Sequence, residues 1–109
     1  MNQTTVNQPA LAELNAALRQ KYPEDIEQLF LFGSRVTGTA HAYSDYDLLL
    51  IVNKPYDWRF ENTIYDLCAD INVKYDIITD IKLISRAELQ TLRGKQPFIQ
   101  DALHEGIPL

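Results

Sequence analysis

Two continuous apolar runs, residues 29–32 and 48–52, constrain this chain more than any other feature. Runs of that kind read as strands buried on both faces of a sheet. Gly33-Ser34 closes the first, ten residues follow, and Asp45-Tyr46-Asp47 opens the second. The ends of two buried strands are thereby set side by side. One offers small residues and backbone donors, and the other offers a pair of carboxylates. Such a mouth suits a phosphate chain and the metal ions that neutralise it.

Asp45 and Asp47 lie two residues apart on a strand, so both point to one face, with their Cα atoms about 7 Å apart. Two unpaired carboxylates this close repel one another unless a cation sits between them. Their hard oxygens suit Mg²⁺, which takes one or two carboxylates and completes its shell with phosphate and water. Asp76, expected at the start of a third strand over residues 75–83, is a candidate third oxygen ligand. Three carboxylates around two ions about 4 Å apart would clamp the attacking and leaving oxygens of an in-line displacement. Gly33 lets the backbone approach a phosphate, and Ser34 adds a hydroxyl and an amide at the start of a short helix. Arg35 would counter phosphate charge, or else pair with Asp45 or Asp80.

Each piece alone has an ordinary reading. Gly-Ser after a strand is usually a turn, and Asp-x-Asp is often a loop-edge pair. An EF-hand loop is excluded, because no third acidic residue falls at the next alternate position and no Glu closes the loop. A phosphate loop of the Gly-x₄-Gly-Lys-Ser/Thr type is excluded because no Gly-Lys-Ser/Thr follows. It is the combination of strand, Gly-Ser, ten residues, Asp-x-Asp, strand and a later Asp that points to phosphate chemistry.

The remainder supplies a scaffold. Residues 9–22 predict an amphipathic helix, with Leu11, Leu14, Leu18 and Tyr22 on one face, Asn7 as N-cap and Pro23 as stop. The first strand covers residues 26–32 and the second, central one residues 46–52. Asp57 caps a long helix whose face carries Phe60, Ile64, Leu67, Cys68 and Ile71. Cys68 is therefore a small buried hydrophobe. Ser85-Arg86-Ala87-Glu88 matches a capping box opening a further helix that stops near Gly94. A last helix over residues 97–104 ends at Gly106. The fold class is α/β (α+β), a small mixed three-stranded sheet flanked by helices, with residues 1–109 as one domain.

At 109 residues and 46% hydrophobic content the chain can bury a core without disulfide or structural metal. The formal net charge of −5 weighs against nucleic acid as the main partner. The single cysteine and two histidines, His41 and His104, make a zinc cluster implausible. The N-terminus shows neither a basic region nor an apolar run, and no stretch reaches the length of a membrane span. The expectation is a cytoplasmic protein without membrane attachment. Tyr46 should face away from Asp45 and Asp47 and pack. Tyr43 and His41, in the connector, are weaker candidates for nucleotide contact.

Gly33-Ser34, ten residues, then Asp45-Tyr46-Asp47 resembles the signature of the DNA-polymerase-β-like nucleotidyltransferases, and most closely their minimal MNT/MntA branch. The resemblance covers nearly the whole chain, including Glu105-Gly106-Ile107. It implies the nucleotidyltransferase fold, with ATP as substrate and two Mg²⁺ ions held by Asp45, Asp47 and Asp76. Asp76 would serve either as metal ligand or as base, and Gly33, Ser34 and Arg35 would hold the phosphates. It further implies an antitoxin that transfers AMP to a tyrosine hydroxyl of an all-helical HEPN-type toxin. The alternative is a nucleotide-binding module that neutralises the HEPN partner by binding alone. A homodimer is left open.

Overall fold

Helix α1 (Gln8–Lys21) starts where its cap dictates: the Asn7 side chain accepts from the Ala10 amide at 3.1 Å, with a proline in the first turn. In the computed structural model, which describes residues 6–41 and 43–109, it is followed by β1 (Ile26–Phe32), α2 (Ser34–Thr37), β2 (Tyr46–Val52) and α3 (Trp58–Tyr75). Then come β3 (Thr79–Ser85), two 3₁₀ turns (Ala87–Gln90 and Leu92–Lys95), α4 (Pro97–Glu105) and β4 (Ile107–Pro108). Most of the N-terminal stretch considered for a leader, and Ala42 of the connector, lie outside the described residues.

The strands form one mixed sheet in the order β3-β2-β1-β4. β2 runs antiparallel to β1 and parallel to β3, and β4 pairs antiparallel with β1. The sheet thus has four strands where the sequence predicts three. β4 escapes the pattern because it is only two residues long and one of them is Pro108, which has no amide to donate. It is held by Leu31 facing Ile107 and by the Leu109 amide donating to the Leu29 carbonyl at 2.8 Å.

Alternation along the strands divides the core in two. Leu29, Leu31, Tyr46, Leu48, Leu50, Val52, Ile81 and Leu83 pack beneath α1 and α3. Phe32, Leu49, Ile51 and Ile84 pack on the opposite face against Ile99 and Ala102 of α4. β2 is buried on both faces, which is why its apolar run is unbroken. Truncating any of its fully buried leucines to alanine should cost about 2–5 kcal/mol.

Two helical expectations change. The third strand begins at Thr79, not at residue 75, because α3 runs on to Tyr75. The Lys74 ammonium and the Tyr75 hydroxyl both donate to Glu13 of α1, at 2.8 and 2.7 Å, tying down the last turn. Asp76 then takes a left-handed conformation (φ 54°) and ends the helix. The capping box does form: Ser85 N–H donates to Glu88 Oε1 at 3.0 Å and Glu88 N–H to Ser85 Oγ at 3.3 Å. The segment it opens is broken into two 3₁₀ turns, because Thr91 turns extended and recaps the chain at Arg93. Gly106 ends α4 as expected, but with φ −68° rather than left-handed, and a side chain there would strike the Ala102 carbonyl.

Among the described residues no helix is long and apolar enough to cross a membrane. Cys68 lies on the buried face of α3, and burial pushes its thiol up to about 11. Only the thiolate reacts. A disulfide reagent at pH 8 should therefore leave the folded protein unlabelled and titrate one thiol once denaturant is added, read by absorbance.

Candidate active site

The site is built on the register of β2. Phe32, the last residue of β1, faces Asp47 across the antiparallel ladder, so Gly33 is placed against the Asp47 carboxylate. A Cβ at position 33 would lie 2.2 Å from Asp47 Oδ2, and the backbone there has φ 78° and ψ −153°. That region of conformational space belongs essentially to glycine. The chain then makes the single turn α2: the Gly33 carbonyl accepts from Val36 and Thr37, and the Ser34 carbonyl from Gly38, Thr39 and Ala40. Ser34 is half-buried at the head of that turn.

Arg35 is buried, at 9% exposure. Its Nη2 donates to the Ser44 carbonyl at 2.6 Å, and its guanidinium lies 4.1 Å over the Tyr46 ring. It thereby ties α2 to the end of the connector, next to Asp45. Tyr46 is buried as expected, facing away from the acidic pair, and its hydroxyl accepts from the Asn7 amide at 3.0 Å. His41 and Tyr43 are exposed; the His41 Nδ1 accepts from the Tyr43 amide at 3.3 Å.

Asp76 is not on the third strand, where the sequence places it. Asp76 sits at the C-terminal cap of α3, three residues before β3 begins. The parallel register pairs Tyr46 with Thr79 and Asp47 with Asp80, so the carboxylate level with Asp47 on the neighbouring strand is that of Asp80. Asp80 shares the strand parity of Asp76, and counting from the true strand start would have selected it.

Electrostatics agree with this placement. The Asp47 carboxyl is raised above its ordinary value, first by burial, then by the charges of Asp80 and Asp45, with Lys82 opposing. A carboxylate raised in the folded state disfavours folding once it ionises, and that penalty fades as the pH falls. Ionised Asp47 is thus held against a local field that a cation would relieve. Among the described residues no three His, Cys, Asp or Glu side chains already form a cage for an ion. The donor set fits an ion that draws on one or two carboxylates and takes its other ligands from phosphate and water.

With this geometry established, known proteins place the chain. Residues 13–109 match the family model described as polymerase beta, nucleotidyltransferase, and the chain belongs to that family. It is 29% identical over 97 residues to MJ0604 of Methanocaldococcus jannaschii, assigned as a protein adenylyltransferase, covering 89% of this chain and 91% of that one. In fold it is similar to a minimal nucleotidyltransferase (TM-score 0.60, 23% identity, 100% and 97% of the two chains). It is also similar to a chain of a mutant MntA–HepT toxin–antitoxin complex (TM-score 0.63, 23% identity, 96% and 72%). A toxin–antitoxin structure with AMP-PNP gives 0.61, 22% identity, 94% and 72%.

Gly33→Ala should lose about 1–3 kcal/mol of stability and displace the Asp47 carboxylate. Thermal unfolding and nucleotide titration check both, and a wild-type melting temperature would contradict the close approach.

Proposed function

We propose that this chain is a Mg²⁺-dependent adenylyltransferase that moves AMP from ATP to a tyrosine hydroxyl of a HEPN-type toxin, acting as its antitoxin in the cytoplasm, with the 109 residues working as one domain. The observation that carries the reading is Gly33 set against the Asp47 carboxylate, with Asp80 level with Asp47 on the neighbouring strand. The name of the Methanocaldococcus relative supports protein as the acceptor, and the fold shared with the toxin–antitoxin chains supports the partner class.

In this reading Gly33 and the Ser34 amide at the head of α2 receive the phosphates, with the Ser34 hydroxyl beside them. Asp45 and Asp47 hold the cation, which when bound neutralises the phosphates and the charge developing on the leaving group. Arg35 acts at one remove, fixing the connector that presents Asp45. Asp80 replaces Asp76 as the third carboxylate, placed to accept the proton of the incoming hydroxyl. The tyrosine oxygen forms a bond to the α-phosphorus, and the bond from that phosphorus to the oxygen bridging to the β-phosphate breaks. Pyrophosphate leaves with the electron pair.

Intact-mass analysis of the helical partner after incubation with ATP and Mg²⁺ tests this. Wild type should add one or more AMP units, and Asp47→Asn and Asp80→Asn should each slow the transfer by about 10²–10³. Asp76→Asn should stay near wild type. Activity retained in Asp80→Asn and lost in Asp76→Asn would reverse the assignment of the third carboxylate. If wild type forms no adduct and Asp47→Asn protects against the toxin equally well, the protein works by binding alone.

A further inference from the structure

Lys82 lies two residues beyond Asp80 on the same face of β3, level with Leu49, while Asp80 is level with Asp47. Its ammonium turns back along the strand and reaches both oxygens of Asp80, at 3.2 and 3.4 Å. On its other side it lies 5.5 Å from the ring centroid of Phe98, the second residue of α4. Below it the same face closes over buried Ile84 and Ile51. Lys82 thus stands where the apolar floor under α4 meets the acidic mouth of the sheet.

As a stabilising contact this pair is weak, because both side chains are more than a third exposed. A surface ion pair also needs no particular neighbour. This one involves the carboxylate facing Asp47, and the Lys82 charge acts on Asp47 as well. The flexible four-carbon stem and three donors of a lysine allow it to leave one acceptor for another without moving the backbone.

We propose that Lys82 is an exchangeable counter-ion of the site. Without nucleotide it occupies Asp80, and its charge beside Asp47 opposes the entry of a divalent cation. When nucleotide enters with its cation, the ammonium passes from Asp80 to a phosphate oxygen of the nucleotide, freeing the Asp80 carboxylate for the acceptor proton. This rests on Asp80 being the third carboxylate, and it gives Lys82 two effects of opposite sign.

The test uses the full chain with Lys82→Met and Lys82→Arg, at a half-buried position, with folding checked by circular dichroism. Binding of Mn²⁺ alone is followed by the paramagnetic resonance signal of the free ion. Binding of AMP-PNP in saturating Mg²⁺ is followed by calorimetry. Lys82→Met should bind Mn²⁺ alone several-fold more tightly, since the opposing charge is gone. It should bind the nucleotide about tenfold more weakly, the loss expected for one charge-assisted hydrogen bond to phosphate. Lys82→Arg should restore nucleotide binding to within a few-fold of wild type. Unchanged Mn²⁺ affinity or unchanged nucleotide affinity in Lys82→Met would overturn the proposal. Neither readout requires an acceptor protein, so these results stand apart from success or failure of AMP transfer.

Discussion

Everything at the mouth of this sheet depends on β2 being held in register on both sides. Its antiparallel ladder with β1 brings Gly33 against Asp47, and its parallel ladder with β3 brings Asp80 level with the same residue. A slip of one residue on either side would turn the carboxylate to the opposite face, since side chains alternate with period two. The register is protected because both faces of β2 are buried. Leu48 and Leu50 are committed to the α1–α3 layer and Leu49 and Ile51 to the α4 layer. The apolar run that looks merely structural is what fixes the position of Asp47.

The connector is secured from the other direction. Arg35 grips the Ser44 carbonyl and stacks on Tyr46, and the Tyr46 hydroxyl accepts from the amide of Asn7, which also caps α1. The loop between Gly33 and Asp45 is therefore tied at both ends to buried elements. A polar loop anchored this way can present Asp45 without an apolar core of its own. The cost falls on electrostatics: Asp47 is raised by burial and by its acidic neighbours in a protein already carrying net charge −5. A site that exchanges stability for charge complementarity toward an absent partner is a common compromise in enzymes.

Much of this was legible in the sequence, for reasons that individual residues make plain. The Gly33-Ser34 and Asp45-x-Asp47 spacing survives translation because both parts adjoin buried strands whose ends are unambiguous. Asp76 misleads because Tyr75 and Ile77 continue an alternating apolar pattern, whereas the chain there is still helix and cap. Both side chains pack against the same core in either case, so burial alone could not separate the two periods. What decides is the anchoring of Lys74 and Tyr75 on Glu13, a contact between residues more than sixty apart, which no local pattern records. β4 was missed for a related reason. Its pairing with β1 is set by where α4 ends, not by any preference of Ile107 or Pro108 for extended structure.

The division of labour between the two faces explains why the site stays open. On the α1–α3 side the cover reaches Tyr46, at the mouth of β2, which is buried. On the other side α4 covers Ile51, Ile84 and Leu49, and Asp47 and Asp80 lie beyond the buried cluster it forms. Phe98 and Lys82 mark the boundary, one extending the apolar floor and the other beginning the charged mouth. The helix begins at Pro97, after the extended Gln96, and this places Phe98 beside Lys82. Asp80 is itself exposed, so access to it needs no moving segment.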